Sequence, residues 1–195
     1  MTLRARLAPL RSQFLFPTIR LALERSGRRD PARFRLLQFS VQRDHVHLLV
    51  EARDKRALSS GVRSVAIRIA RYVNELLSRR GPLWGDRWHG HALKTPREVR
   101  NALAYVLGNF RKHARRPLPP GVDRYSSGAW FDGWRDSEHC SGLAPPFMRR
   151  DTVVETETAC PVSSPRAWLA RVGWRRHGLL RLDEAPGAAT RPRDS

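Results

Sequence analysis

Two histidines, His45 and His47, stand one residue apart where an apolar run begins, DHVHLLV over residues 44–50. In a β-strand, residues i and i+2 point to the same face, so the two imidazoles would lie side by side. Two neutral imidazoles at that spacing can hold one divalent ion. Two ligands alone make a poor site, and the same pair also fits a partly exposed sheet edge. A third ligand from another element is needed to complete a metal site.

A tyrosine and an amide lie one helical turn apart in a second segment, REVRNALAYVLGNFRKH over residues 97–113. At about 100° per residue, the apolar residues of this segment cluster on one side of a helix. Tyr105 and Asn109 fall on the opposite side, where i,i+4 neighbours touch. The apolar side already provides the face that packs on the domain. The pattern therefore predicts that the other side is an exposed stripe that meets an anionic partner. The apolar side is Val99, Leu103, Val106, Leu107 and Phe110, and the other side also holds Glu98, Asn101 and Lys112.

The charge balance of the chain points to the same kind of partner. Lysine and arginine together number 37 against 18 acidic residues, a formal net charge of +19. A surplus of one sign at this level opposes compact folding and indicates an anionic polymer, above all nucleic acid. The alternatives are a generic solvated surface or a ribosome-associated protein.

Seven elements in the order β-α-β-β-α-β-α are predicted to position these residues within residues 2–116. The strands are expected at 2–7, 34–42, 45–52 and 88–95, with a tight hairpin at 43–44. The helices are expected at 12–26, over an apolar stripe from Leu58 to Leu76, and from a capping box at Thr95 to about 113–116. The first six elements form the ferredoxin-like pattern, an α+β fold with a four-stranded antiparallel sheet and helices on one face. The helix that carries Tyr105 is an addition to it.

The remainder of the chain, residues 117–195, is interpreted as an irregular extension rich in proline and glycine, with a short helix near 165–172. Its stretch WLARVGWRRHG, residues 168–178, mixes aromatic and basic residues. That stretch either grips DNA or packs back on the domain. Cys140 and Cys160 show no metal or disulfide pattern, and no signal peptide or membrane span is evident. A cytoplasmic, nucleoid-associated bacterial protein is expected.

The His-Val-His tripeptide and the tyrosine segment together resemble a known family, the HUH-type single-strand DNA transposases with one tyrosine. Within that family they resemble the REP-associated tyrosine transposases. The resemblance rests on His45-Val46-His47 and on LWGDRWHGHALKTPREVRNALAYVLGNFRKH over 83–113, with a weaker echo in SSGAWFDGW over 126–134. It covers roughly residues 2–116. Asp44 stands where relatives often have asparagine.

The resemblance implies an enzyme that cleaves and rejoins single-stranded DNA through a 5′-phosphotyrosine. Tyr105 would be the nucleophile, and His45, His47 and Asn109 would hold a Mg²⁺ or Mn²⁺ ion. The DNA would carry hairpin-forming repeats, and the protein would act as a monomer or homodimer. Residues predicted to contact DNA are Arg63, Arg68, Arg71, Arg79, Arg80, Arg87, Trp88 and Lys112. Trp84 and Trp88 either stack on bases or pack the end of the sheet.

Two other functions remain open on the sequence alone. One is a ferredoxin-like nucleic-acid-binding protein without catalysis, which would keep the basic surface and not need Tyr105. The other is a DNA nickase of the replication or conjugation type, which would share the chemistry and differ in its partners. A second histidine pair, His89 and His91, has the spacing of the first, and a structural or solvated role is expected for it.

Overall fold

A three-stranded antiparallel sheet carries the fold, in a computed structural model that describes residues 1–7, 9–85, 88–112, 114, 118–135 and 160–186. Strand β3 (His45–Ala52) is central, between β1 (Thr2–Arg4) and β2 (Phe34–Val41). The longer helices are α1 (Phe16–Gly27), α2 (Lys55–Leu76) and α3 (Pro96–Lys112). A short helix, α4 (Trp168–Arg171), and 3-10 turns at Gly128–Trp130 and Gly173–His177 follow.

The central strand separates two apolar clusters because its side chains alternate between the two faces of the sheet. Val46 and Leu48 are buried in the cluster that contains the apolar stripes of α1 and α2. Leu49 belongs to the second cluster, which contains α3 and the tail of the chain. His47 has the same parity as Leu49, and it therefore lies on the α3 face of the sheet.

The sequence explains where α2 and α3 begin. Asp54 caps α2, and its Oδ1 accepts a hydrogen bond from the Ala57 backbone N–H at 2.7 Å. Thr95 and Glu98 form the predicted capping box at the start of α3. The Glu98 backbone N–H donates to Thr95 Oγ1, and Glu98 Oε2 accepts from the Thr95 backbone N–H, both at 3.2 Å.

The strand predicted at residues 88–95 does not form. Only His89 pairs there, through one bridge to Thr2, and the neighbouring positions 90–92 are exposed. A strand needs a buried face to hold its register, and this segment offers none beyond Trp88. Backbone hydrogen bonds from Arg6 to Leu83 and from Gly85 to Arg4 do run along the outer edge of the sheet beside β1. The first strand is likewise shorter than predicted, with Ala5 in a single bridge to Trp84.

The described tail covers the other edge of the sheet. The Val41 and Ser127 backbone N–H groups donate to Tyr125 and Phe39, and Ser163 donates to Leu36 at 2.7 Å. The tail also supplies much of the second apolar cluster, namely Phe131, Trp134, Trp174, Leu180 and Leu182. The helix expected at 165–172 is shorter, because α4 begins at Trp168 and becomes a 3-10 turn at Gly173.

The α3 helix is buried on two sides, which differs from the predicted exposed stripe. Asn109, expected at the surface, is 0% exposed. Arg100, Ala104 and Gly108 are also buried, on the flank that faces the tail. The tail and the sheet share the apolar stripe of the helix, so the helix presents its Asn109 flank to the sheet. Among the described residues, no helix is long and apolar enough to cross a membrane.

Candidate metal and tyrosine site

The two histidines of β3 meet at their ring tips. His45 Nε2 and His47 Nε2 lie 2.9 Å apart, with ring centroids 4.5 Å apart. His47 is 4% exposed, and His45 is partly buried. The pairing of β1 with β3 sets Thr2 opposite His47 and Arg4 opposite His45. The strand period therefore brings the imidazoles together, as the sequence predicts.

Helix α3 brings the other two candidate residues against His47. Asn109 Nδ2 lies 3.1 Å from His47 Nε2. One turn earlier, the Tyr105 ring packs edge-on against the His47 ring, with centroids 4.9 Å apart and planes at 67°. Tyr105 is 40% exposed although its ring contacts His47. The structure thus places Tyr105, His45, His47 and Asn109 in one cluster.

The polar atoms of this cluster do not satisfy one another. His47 Nε2 has one position for either a proton or a lone pair. It faces both His45 Nε2 and Asn109 Nδ2, and it can accept from only one donor. Asn109 Oδ1 is buried and has no hydrogen-bond partner. Leaving a buried acceptor unpaired costs roughly 1–3 kcal/mol.

A divalent cation fits this arrangement. Amide oxygen and nitrogen are exchanged by a 180° turn of the Asn109 side chain, which would direct Oδ1 to the side of His47 Nε2. Two imidazole nitrogens and one amide oxygen are then three lone pairs directed at one point. Ligand atoms about 3 Å apart surround an ion with ligand distances of about 2.1 Å. Among the described residues, no group of three or more His, Cys, Asp or Glu could hold a metal ion, and the Asn109 amide is the polar group that lies beside the two imidazoles.

Two further residues, which sequence reasoning missed, fix the imidazoles from behind. Asp44 Oδ1 lies 2.7 Å from His45 Nδ1, and Thr2 Oγ1 lies 3.0 Å from His47 Nδ1. The hydrogen bond with His45 holds the pKa of Asp44 below its ordinary value, with a smaller contribution from Arg4. In metal sites such partners set the ring tautomer and orient the imidazole, and here they would direct Nε2 at a bound ion. Asp44 could have been found from its place beside His45, but Thr2 is revealed only by the strand register.

The site opens on a cleft of about 1520 Å³ between β3, α3 and the segment 88–93. His47 and Tyr105 line it, together with Trp88 and the second histidine pair, His89 and His91. His89 and His91 are exposed, and they do not join the metal cluster.

The basic residues predicted to contact DNA are divided between the two faces of the sheet. Arg63, Arg68 and Arg71 belong to α2, on the face opposite α3, and Arg68 Nε donates to Ser26 Oγ at 3.1 Å. Arg79 and Arg80 follow α2, and Lys112 is exposed at the end of α3. Trp88 lines the cleft, whereas Trp84 donates from Nε1 to the Ala66 carbonyl at 2.8 Å and packs on α2. Arg87 lies outside the described residues.

The family model described as Transposase IS200 like matches residues 26–106, the part of the chain that holds β2, β3, both histidines and Tyr105. Over those residues the chain is similar to the single-tyrosine HUH-type transposases, and the match supports a transposase function. Comparison with curated proteins and with solved structures gives no match.

Proposed function

We propose that this protein is a transposase that cleaves and rejoins single-stranded DNA, with Tyr105 as the nucleophile and a divalent ion held by His45, His47 and Asn109. The observation that carries the proposal is the convergence of His45 Nε2, His47 Nε2 and the Asn109 amide within 2.9–3.1 Å, beside the Tyr105 ring. Structural histidines in a packed core would pair their nitrogens with separate partners. Here they share one point and leave a buried amide oxygen unpaired.

The ion would be Mg²⁺ or Mn²⁺. When bound, a divalent ion supplies positive charge beside a non-bridging phosphate oxygen and makes the phosphorus more open to attack. Mg²⁺ prefers oxygen ligands, whereas imidazole also suits ions further along the transition series, so two histidines favour Mn²⁺ in vitro. Asp44 and Thr2 would keep both rings in the metal-binding tautomer.

Tyr105 would then carry out the strand transfer. Its hydroxyl oxygen forms a bond to phosphorus as the bond from phosphorus to the 3′ oxygen breaks. The phenolic proton ends on the departing oxygen, which becomes a free 3′-OH. The 5′-phosphotyrosine conserves the bond energy, so the 3′-OH of another strand can reverse the step without ATP.

The DNA is best described as a single strand with an adjoining hairpin. An open cleft and an exposed tyrosine suit a flexible strand whose phosphate can approach Tyr105 in line. The resemblance to the REP-associated group adds hairpin-forming repeats as the recognition element. Two of the predicted DNA contacts are best placed to touch this strand. Lys112 lies at the end of the tyrosine helix, and Trp88 lines the cleft.

Covalent trapping tests the proposal directly. The protein is mixed with end-labelled single-stranded DNA from its own locus and Mn²⁺ or Mg²⁺, denatured, and examined for a DNA-linked band. We expect a metal-dependent band that is absent in Tyr105→Phe and in His47→Ala and is retained in the control Tyr72→Phe. Tyr72 is a matched control because it lies on α2 and its hydroxyl accepts from Arg25 at 2.7 Å. A band that survives Tyr105→Phe would overturn the assignment of the nucleophile. DNA binding with no band under any condition would indicate the binding protein without catalysis.

A further inference from the structure

The segment that contains α4 displays one tryptophan and buries another. Trp174 is 1% exposed and anchors the segment in the second apolar cluster, whereas Trp168 is 49% exposed. Residues 160–178 contain four arginines and no carboxylate, and the arginines are Arg166, Arg171, Arg175 and Arg176. Only Arg175 is paired with an acidic side chain in the described structure, Asp132 at 2.8 Å. An exposed aromatic ring therefore lies in a strongly cationic surface.

Trp168 is held in place although it is exposed. A Cβ at position 173 would lie 2.7 Å from the Trp168 ring, so the ring rests against Gly173 and a side chain at that position would displace it. The Arg176 guanidinium lies 4.9 Å from the ring centroid, within cation–π distance. A ring that is already ordered loses little conformational freedom when a ligand stacks on it. The guanidinium lies over the ring, so a base that stacks here meets the guanidinium as well as the ring.

The same segment is fastened to the strand that carries the histidines. The Glu51 carboxylate, near the end of β3, accepts hydrogen bonds from the backbone N–H groups of Arg166, at 2.9 Å, and Ala167. Ala167, Leu169 and Ala170 line the cleft that also contains His47 and Tyr105. Trp168 and Arg171 flank these lining residues along the chain.

We propose that Trp168, Arg171 and Arg176 form a stacking platform for the bases of single-stranded DNA outside the tyrosine site. The assignment of DNA as the ligand rests on the proposed function. Bases in a single strand expose their flat faces to aromatic side chains, whereas bases in a duplex are already stacked. Arginines beside the ring supply contacts to the phosphates between those bases. The platform would add contacts to the DNA strand beyond those at the reacting phosphate.

The test measures binding of fluorescein-labelled oligothymidylate, which cannot form a hairpin, by anisotropy over a range of salt concentrations. Trp168→Ala should weaken binding about fivefold or more, the effect of one stacked base, and Trp168→Phe should retain most of the affinity. Arg176→Gln should weaken binding and lower the salt slope by about 0.7 for each phosphate that it no longer neutralises. Arg28→Gln, an equal charge change at the end of α1 on the opposite face, is the control. A thermal melt followed by circular dichroism checks that each variant is folded.

The outcomes separate this proposal from the proposed function. If Trp168→Ala and Arg28→Gln bind oligothymidylate as the wild type does, the platform is overturned. It is also overturned if Trp168→Ala weakens binding only to a blunt duplex hairpin. If binding depends on Trp168 but the wild type forms no covalent DNA adduct, the platform stands and the proposed chemistry fails. If both stand, Trp168→Ala should still form the adduct at saturating DNA.

Discussion

Glu184 accepts two hydrogen bonds from the Arg100 guanidinium, at 2.6 and 3.0 Å, and ties the tail of the chain to the helix that carries Tyr105. Both side chains are largely buried, at 10% and 12% exposure. Arg100 also donates to the backbone carbonyl of Gly178 at 3.1 Å. The tail therefore helps to set the position of the helix that carries Tyr105, although the tail lies outside the segment matched by the family model.

Breaking this pair should loosen the tyrosine helix. We expect Glu184→Gln to lower the free energy of unfolding by about 3 kcal/mol, because it leaves a buried guanidinium without its counter-charge. The double variant Arg100→Met, Glu184→Leu should recover most of that loss, since no buried charge remains. Urea unfolding at neutral pH measures both, and the yield of the covalent DNA adduct should fall in the single variant.

The control for this prediction is Glu24→Gln, which breaks the more exposed Arg28–Glu24 pair at 3.2 Å. Exposed i,i+4 pairs contribute about 0.3–0.5 kcal/mol, so the control should unfold nearly as the wild type does. If Glu184→Gln is as stable as Glu24→Gln, the tail does not hold α3 through this contact.

Replacement of Asn109 should separate stability from metal binding. Asn109→Leu removes a buried amide oxygen that has no partner, so we expect a thermal midpoint at least equal to that of the wild type without metal. The same change should abolish Mn²⁺ binding and adduct formation. Calorimetric titration with Mn²⁺ and thermal melts measure the two effects. Asn101→Leu, on the exposed side of the same helix, should leave Mn²⁺ binding unchanged, and tight Mn²⁺ binding by Asn109→Leu would exclude the amide as a ligand.

The partners behind the imidazoles should tune metal affinity without abolishing it. Thr2→Val and Asp44→Ala each remove one hydrogen bond to a ring nitrogen that faces away from the site. We expect each to weaken Mn²⁺ binding by about 10- to 100-fold, as loss of such a partner usually does. Thr2→Ser, which keeps the hydroxyl, should stay close to the wild type. Equal affinities for Thr2→Val and Thr2→Ser would mean that the hydroxyl does not orient His47.

The start of the tyrosine helix should depend on pH through Glu98. Hydrogen bonds from the Lys94 and Thr95 backbone N–H groups hold the pKa of Glu98 below its ordinary value. Because this pKa is lower in the folded state, the stabilisation is complete above the unfolded-state value, about 4.3, and is lost as the pH falls through the folded-state value. Glu98→Gln should therefore be less stable than the wild type at pH 7, and the two should converge in acid. Urea midpoints across that range test this, and a difference that persists at the acid end would contradict it.

The sequence predicted the site better than it predicted the surroundings of the site. The period of a strand sets His45 beside His47, and the period of a helix sets Tyr105 one turn from Asn109, so local geometry was sufficient for both pairs. The burial of Asn109 could not be read from α3 alone, because it depends on how the tail and the sheet divide the apolar face of that helix. Thr2 was missed for a similar reason, since strand register is a long-range property.

The fold class was also predicted in part. Antiparallel pairing of β2 with β3 and the packing of α1 and α2 on one face follow from alternation and helical stripes. The prediction of a fourth strand at residues 88–95 was wrong, because a segment without a buried face cannot form a stable edge strand. Backbone bonds at Leu83 and Gly85 place the contact with β1 a few residues earlier than predicted.

Both outer edges of the described sheet are occupied by segments of the same chain, residues 83–85 and 89 beside β1 and residues 125–127 and 163 beside β2. An open strand edge is a template on which a second molecule can add its own strand. By covering both edges with its own segments, the described part of this chain offers no such template.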